Sequence, residues 1–269
     1  MTLQETYKII KPSIVAIASK YEKLKLGDKP SQIPFILGTG FIVDDGLVVT
    51  NHHVAREVDK LPKPPNSSKE EWPVICLMFL EINQRDCAMI PLDVIGKFEI
   101  KSHNPEGIWY GDNIPDMAFL RVKATGLPIL KLQTDWQLLR EGMNLATSGF
   151  PSGRDVLNAP GYLHQMGPTL QTGILSALLP FVGSRPHAFI LNVISLGGQS
   201  GSPVFVPENG EVVGILYGGY EETSAITYVL PAGLIDAGIK EAQKLPDYAL
   251  PDDASSLEDI MKKYKRKII

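Results

Sequence analysis

The sequence predicts an all-β protein, and two observations indicate that class. Short apolar runs, each broken by Gly, Pro, Asn or Asp, recur from about residue 12 to residue 230. Many short runs separated by turn residues are typical of the strands of a sandwich or barrel. Helical periodicity, by contrast, occurs only at the N-terminus, from Ala232 to Leu245 and from Ser255 onward. We therefore expect many strands, with short helices towards the two ends of the chain.

The elements can be placed in order from local signals. A short first helix is expected because Thr2 and Glu5 have the spacing of a capping box, and Ser255 with Glu258 repeats that spacing before the last helix. The expected strands between these helices are the apolar runs at residues 13–18, 40–43, 47–49, 74–80, 94–95, 117–122, 144–147, 188–194, 212–217 and 226–230.

Composition limits the class of protein. The chain has 269 residues, enough for a sizeable core, and a net charge of −4 with no dense basic block before its last residues. This charge gives no support for nucleic-acid binding. No apolar run is long enough to span a bilayer, and the N-terminus lacks the basic and apolar regions of a signal peptide. We expect a soluble cytoplasmic protein without a nucleic-acid or membrane partner.

Cysteine and histidine usage argues against a disulfide framework and a metal site. Two cysteines, Cys76 and Cys87, are too few for a framework. They flank a predicted hairpin, so a bond between them stays open, although two free thiols are the expectation. The sequence has no His-Glu-x-x-His ligand pattern, and we expect neither a metal nor a cofactor.

Three segments carry residues suited to nucleophilic catalysis. Ser200 lies between small residues in the segment 198–202, where glycines allow a sharp turn and backbone amides can point to one spot beside the hydroxyl. His52 and His53 end the apolar run that begins at residue 47, and Asp116 precedes another run. A serine hydroxyl needs an adjacent base, and the chain order His, Asp, Ser is one of those known for catalytic triads.

These segments resemble the chymotrypsin-like serine peptidases, and most closely the HtrA/DegP-type branch. That branch has the patterns Gly-Thr-Gly-Phe-Ile, Thr-Asn-x-His-Val, Asp-hydrophobic-Ala and Gly-Asn-Ser-Gly-Gly-Pro. The matching segments here are residues 38–42, 50–54, 116–118 and 198–203, with weaker matches at 172–176, 213–215 and 226–231. The resemblance covers roughly residues 8 to 236, and we expect no PDZ domain after it, which is a departure from HtrA proteins.

The resemblance implies a trypsin-like fold of two six-stranded antiparallel β-barrels. Residues 1–125 would hold the N-terminal helix and the first barrel, residues 126–236 the second barrel, and residues 237–269 a helical tail. His53 and Asp116 would then lie on the first barrel and Ser200 on the second, with the site in the cleft between them. Long loops would border that cleft, at residues 61–68, 152–168 and 180–186.

The resemblance also implies a role for each residue. Ser200 would be the nucleophile, with the amides of Gly198 and Ser200 as the oxyanion hole. His53 would act as general base and then general acid, oriented by Asp116. His52 competes with His53, and only one of two consecutive strand residues can face the cleft; the family pattern favours His53. Asp112 competes with Asp116, which is favoured because it directly precedes an apolar run.

The implied specificity pocket contains no charged residue. A charged substrate side chain would lose hydration there without a partner, so small or medium uncharged residues are expected before the scissile bond. For the pocket residues, and for Ile194 in particular, a place in the ordinary barrel core is the alternative. The pocket positions are Ile194, Tyr217, Gly218, Gly219, Thr227 and Tyr228.

Two residues depart from the family pattern. Gln199 replaces an Asn or Asp, and Ser202 replaces a glycine. Gln199 cannot form an ion pair with a freed amino terminus, as the Asp of zymogen-type relatives does, so we expect activity without N-terminal cleavage. Ser202 removes no catalytic group.

The expected function is that of a serine endopeptidase acting on protein or peptide substrates. The alternative is a catalytically silent barrel pair that serves as a binding or scaffold module. An α/β-hydrolase esterase is excluded because its triad order is Ser, Asp, His and no histidine follows His187. The natural substrate, oligomeric state and any regulatory partner stay open. The C-terminal helix, which ends in the basic segment 262–267, is expected to be a solvated tail, with docking on a partner as the alternative.

Overall fold

Two closed barrels of six antiparallel strands form most of the protein, in a computed structural model that describes residues 1–21, 33–63, 71–81, 87–100, 114–157, 167–180, 185–220 and 223–265. The first barrel comprises β1 (Ile14–Ser19), β2 (Ile36–Asp44), β3 (Leu47–Thr50), β4 (Val74–Glu81), β5 (Cys87–Glu99) and β6 (Ala118–Val122). After the short β7 (Ala124–Thr125), the second comprises β8 (Asn144–Gly149), β9 (Thr169–Leu179), β10 (Ala188–Leu191), β11 (Pro203–Phe205), β12 (Val212–Tyr220) and β13 (Thr223–Pro231). The predicted fold class is confirmed.

Each barrel closes around its own core, and a third apolar cluster joins the two. The strand order is β1-β2-β3-β6-β5-β4 in the first barrel and β10-β13-β12-β11-β8-β9 in the second. Closure leaves neither sheet with an unpaired edge. The joining cluster contains Phe41 and Phe119 from the first barrel and Phe205 and Ile215 from the second. The two barrels therefore pack against each other through this shared apolar cluster. The division at residue 125 into separate domains stays a prediction.

Short helices lie around the barrels, and the predicted first cap is confirmed. They are α1 (Leu3–Ile10), α2 (His52–Val58), α3 (Arg154–Leu157), α4 (Ala232–Ala242) and α5 (Leu257–Lys265). At the start of α1, the Thr2 hydroxyl accepts from the Glu5 amide at 3.3 Å, and the Glu5 carboxylate accepts from the Thr2 amide at 2.9 Å. This reciprocal pair is a capping box.

The cap of the last helix lies one residue later than predicted. Ser256, not Ser255, accepts from the amide of Asp259 at 3.1 Å and donates to its carboxylate at 2.8 Å. Both serines belong to β14 (Ser255–Ser256), which pairs in parallel with β7. Ser256 directly precedes the helix, and its hydroxyl is therefore the one that reaches the first-turn amide of Asp259.

The last helix packs on the protein itself. Leu257, Ile260 and Met261 of α5 contact the core of the first barrel, so this part of the tail is docked rather than solvated as predicted. Arg266 and Lys267, the end of the predicted basic tail, lie outside the described residues. No helix in the described ranges is long and apolar enough to cross a membrane.

Cys76 and Cys87 do not form a disulfide bond with each other. Cys76 on β4 lies opposite Leu92, and Cys87 at the start of β5 lies opposite Glu81, so the two thiols are not cross-strand partners. Burial raises the pKa of both thiols, most strongly that of Cys76. Little thiolate forms at neutral pH, and these side chains act as core residues.

Candidate active site

The histidine pair lies in a helix, not at the end of a strand as predicted. Strand β3 ends at Thr50, Asn51 occupies the position directly before α2, and His52 and His53 lie in the first turn of that helix. Strand alternation therefore does not distinguish the two rings, and that part of the prediction is wrong. Successive residues of a helix point about 100° apart, and the rings still have different surroundings. The Nδ1 atom of His52 is buried without a hydrogen-bond partner among the described residues, whereas His53 is exposed.

His53 is bound to Asp116 through both its backbone and its ring. The Asp116 Oδ1 atom accepts from the His53 amide at 2.9 Å, and Oδ2 lies 2.6 Å from the ring Nδ1. Asn51 donates from its side chain to the Asp116 carbonyl oxygen at 2.8 Å, which fixes the aspartate backbone as well. A carboxylate next to Nδ1 favours the tautomer with its proton on that nitrogen, leaving a lone pair on Nε2. Asp112, the competing carboxylate, lies outside the described residues.

Ser200 is brought towards this pair through its backbone. Its carbonyl oxygen accepts from the Thr39 amide on β2 at 2.8 Å. Gly38 fills the space between the Ser200 loop and α2, because a Cβ placed there would lie 3.1 Å from the Ser200 oxygen and 2.8 Å from a methyl carbon of Val54. Val54 follows His53 in α2, so a side chain at Gly38 would crowd both this helix and the backbone of Ser200.

No hydrogen bond joins the Ser200 hydroxyl to His53 in the described part of the chain, whereas the His53–Asp116 bond is formed. Contacts between a nucleophile and its base are often long without substrate and shorten when it binds. The structure thus joins two of the three predicted catalytic side chains directly, whereas the third residue is bound through its backbone to Thr39.

Two glycines give the Ser200 loop its shape. Gly198 and Gly201 have φ values of +92° and +90°, a conformation that favours glycine. A Cβ at Gly198 would lie 2.2 Å from the Phe150 carbonyl oxygen, and one at Gly201 would lie 2.0 Å from the Thr39 carbonyl oxygen. Both positions therefore exclude any side chain, which lets the loop approach the first barrel closely.

Carbonyl hydrogen bonds orient the two peptide units that contain the Gly198 and Ser200 amides. The Gly197 carbonyl oxygen accepts from the Ser152 amide at 2.6 Å, and the Gln199 carbonyl oxygen accepts from the Ser202 amide at 3.0 Å. In a trans peptide the N–H points away from the preceding C=O, so these bonds also set the directions of the Gly198 and Ser200 amides. Neither amide donates a hydrogen bond within the described ranges.

Thr39 is a residue of the site that the sequence interpretation missed. It is fully buried, donates its amide to Ser200, and donates its hydroxyl to the Gly198 carbonyl oxygen at 2.7 Å. The Thr50 hydroxyl binds the Thr39 carbonyl oxygen at 2.7 Å. The available signal was chemical, because a hydroxyl inside an otherwise apolar strand needs a partner.

The predicted pocket residues fall near one another. Ile194 is 50% exposed, so it does not belong to the barrel core, which was the alternative for this residue. The Thr227 hydroxyl is buried and donates to the Val193 carbonyl oxygen at 2.8 Å, which joins β13 to the segment that holds Ile194. A Cβ at Gly219 would lie 3.4 Å from the Ser195 side chain, so this segment also lies against β12.

Uncharged residues make up the rest of the predicted pocket. The rings of Tyr217 and Tyr228 lie 6.0 Å apart, and Gly218 and Gly219 are opposite Tyr228 and Thr227 on the paired strands β12 and β13. Within the described ranges, no group of three or more His, Cys, Asp or Glu side chains has the geometry of a metal site.

The comparisons with known proteins point to one family. The model of the trypsin-like peptidase domain matches residues 38–215. A "probable periplasmic serine endoprotease DegP-like" of Pseudomonas putida is 28% identical over 180 residues, which is 66% of this chain and 28% of that protein. The "serine protease DegP homolog" of Plasmodium falciparum is 25% identical over 219 residues, 79% of this chain and 20% of that protein. The chain thus spans less than a third of the length of these relatives.

A solved structure supports the fold. The serine endoprotease from Yersinia pestis superposes with a TM-score of 0.55 at 18% identity, covering 90% of this chain and 66% of that one. The expectation of a cytoplasmic protein is wrong, because the Pseudomonas putida relatives are named as periplasmic endoproteases.

Proposed function

The chain belongs to the trypsin-like peptidase family, and from that premise we propose that it is a serine endopeptidase of the HtrA/DegP type. Its catalytic residues would be Ser200, His53 and Asp116. The observation that carries the proposal is the pair of hydrogen bonds between Asp116 and His53. Asp116 Oδ1 lies 2.9 Å from the His53 amide nitrogen, and Oδ2 lies 2.6 Å from the ring Nδ1. These two bonds fix the ring and leave Nε2 to accept a proton.

The proposed reaction proceeds through an acyl-enzyme. His53 Nε2 takes the proton of the Ser200 hydroxyl as Oγ attacks the scissile carbonyl carbon, and Asp116 stabilises the imidazolium that forms. The imidazolium then gives its proton to the leaving amine, and the C–N bond breaks. A water molecule, activated by the same ring, attacks the ester and releases Ser200.

The developing oxyanion would be bound by the amides of Gly198 and Ser200. Support comes from their directions, which the Gly197 and Gln199 carbonyl bonds set, and from the lack of any other acceptor for them in the described residues. Amides held in place before the reaction stabilise negative charge without reorganising. Loss of one such donor typically costs about 2.7–4 kcal/mol of barrier.

We propose that substrates carry a small or medium uncharged residue before the scissile bond. Ile194, Thr227 and Tyr228 contribute no charge to the predicted pocket. Lys, Arg, Asp or Glu would be desolvated there without a partner, at a cost of several kcal/mol. We also propose that residues 1–125 and 126–236 act as two units that supply the His53–Asp116 pair and Ser200, respectively.

The proposal is tested with a fluorophosphonate probe, which reacts with activated serines, and with a fluorogenic peptide library. The wild-type protein should be labelled and should cleave peptides, and Ser200→Ala should do neither. Ser176→Ala is the matched control, because Ser176 is an exposed serine on β9. It should retain both activities. An unlabelled wild-type protein would favour the silent binding module, and labelling of Ser200→Ala would show that another residue is the nucleophile.

A further inference from the structure

Two buried polar side chains flank Ser200. Gln199 and Ser202 are both fully buried, and they are the positions at which this chain departs from the Gly-Asn-Ser-Gly-Gly pattern. A buried amide or hydroxyl without partners is destabilising, so residues of this kind are kept in folded proteins with their hydrogen bonds satisfied. Their partners therefore indicate what the two residues do.

The Gln199 side chain links the loop to β9. Its Oε1 atom accepts from the Leu196 amide at 2.8 Å, and its Nε2 atom donates to Oε1 of Gln171 at 2.9 Å. The Leu196 amide can only donate, so the atom facing it must be an oxygen, and the NH₂ group must face Gln171. The orientation of both side-chain amides follows from this one backbone donor.

The Ser202 side chain binds the backbone carbonyl group of Gln199. Its Oγ atom donates to the Gln199 carbonyl oxygen at 2.6 Å, in addition to the 3.0 Å bond from its own amide. That carbonyl belongs to the peptide unit whose N–H is the Ser200 amide. Gly149 makes room for the hydroxyl, because a Cβ there would lie 2.0 Å from Ser202 Oγ.

We propose that Gln171, Gln199 and Ser202 are positioning residues that together hold the Ser200 loop in its catalytic conformation. This rests on the proposed peptidase function and extends it to the means by which the oxyanion-binding amides are fixed. Gln199 anchors the loop before Ser200 through Leu196 and Gln171, and Ser202 orients the Ser200 amide. All three side chains are neutral, so none of these contacts is an ion pair.

The kinetic consequence distinguishes positioning from substrate binding. Oxyanion donors act on charge that develops in the transition state, so a misplaced amide lowers kcat and leaves KM nearly unchanged. A residue that only bound substrate would raise KM instead.

The test compares Gln171→Met with Gln171→Glu. Methionine has a similar length but offers the Gln199 NH₂ group only a weak sulfur acceptor, whereas glutamate keeps an oxygen in place. We expect Gln171→Met to lower kcat and the rate of fluorophosphonate labelling about tenfold, with a KM within about twofold of the wild-type value. In Gln171→Glu, both rates should stay within about twofold of those of the wild type. Gln137→Met, the same change at an exposed glutamine, is the control and should behave as the wild type.

Ser202→Ala tests the other half of the proposal. It removes one of the two donors to the Gln199 carbonyl and should lower kcat about tenfold, again without a comparable change in KM. Thermal unfolding of every variant, measured in parallel, identifies any variant that fails to fold. If Gln171→Met or Ser202→Ala fails to fold, the kinetics of the other variant test the proposal.

The outcomes separate this proposal from the proposed function. If the wild type is labelled but Gln171→Met matches Gln171→Glu, or Ser202→Ala keeps its kcat, the peptidase stands and the positioning role is overturned. A rise in KM with kcat unchanged overturns it as well. If the wild type is neither labelled nor active, both proposals fall.

Discussion

The hydroxyl of Thr39, on β2 of the first barrel, donates a 2.7 Å hydrogen bond to the carbonyl oxygen of Gly198, in the loop of the second barrel that carries Ser200. The same hydroxyl accepts from the Phe150 amide at 3.1 Å, and the Thr39 amide binds the Ser200 carbonyl oxygen at 2.8 Å. Both barrels therefore determine where the loop lies.

We predict that Thr39→Val lowers both stability and activity, whereas Thr39→Ser preserves most of each. Valine has the shape of threonine but leaves the Gly198 carbonyl and the Phe150 amide without a buried partner, a loss of about 1–3 kcal/mol in the free energy of unfolding. Serine keeps the hydroxyl. Urea denaturation and kcat for the two variants test this, and equal behaviour of the two would show that the hydroxyl is not what matters.

The sequence was most informative where a local residue pattern permits few backbone conformations. Apolar runs marked β1, β4 and β6 correctly, and the pattern around Ser200 led to a loop whose two glycines have positive φ. The strand β9 was missed because its residues alternate irregularly between buried and exposed and include Gly173. The placement of His53 in a helix was missed because β3 ends at Thr50, only two residues before α2 begins at His52.

Other features depend on partners that are distant in the chain. Thr39 and Gly198 are separated by 159 positions, and Gln171 and Gln199 by 28. No local pattern specifies which side chain will satisfy a buried carbonyl or amide. These bonds become visible only once the barrels have closed.

We predict that His53→Ala abolishes activity and that His52→Ala spares it. Asp116 binds the ring and the amide of His53, and neither bond involves His52. Triad members act as a unit, so His53→Ala should lose at least about a thousandfold in kcat, and adding Ser200→Ala should make it scarcely worse. Single-turnover hydrolysis of a peptide ester tests this. Equal losses in the two histidine variants, with both folded, would contradict the assignment of His53.

We predict that Tyr7→Phe lowers the free energy of unfolding at neutral pH. The difference in this free energy between the wild type and the variant should become smaller above pH 10. The Tyr7 hydroxyl on α1 lies 2.9 Å from Ser148 Oγ and donates to the Pro168 carbonyl oxygen at 2.8 Å, so its loss should cost about 1 kcal/mol. Burial, aided by Glu81, raises the pKa of Tyr7 although Ser148 opposes this. The folded state thus holds the proton after the unfolded state has lost it, and wild-type stability falls as pH rises past about 10.

Urea denaturation of both proteins at pH 7 and at pH 10.5 measures this effect. Lysines and the other tyrosines titrate in both proteins, so the difference between them isolates Tyr7. A difference that stays constant or widens at high pH would contradict the assigned direction of the pKa shift.

Ile194→Asp should redirect the specificity of the enzyme towards Lys or Arg before the scissile bond. Ile194 is half exposed beside uncharged neighbours, so a carboxylate there would supply the partner that a basic substrate side chain lacks in the wild type. Ile174→Asp is the matched control, because Ile174 is a similarly exposed isoleucine, at 41%, outside the predicted pocket. It should leave the preference unchanged. A peptide-library profile of the three proteins tests this. A wild-type preference for Lys or Arg, or the same shift in both variants, would refute the assignment of Ile194 to the pocket and leave the Ser200–His53–Asp116 proposal untouched.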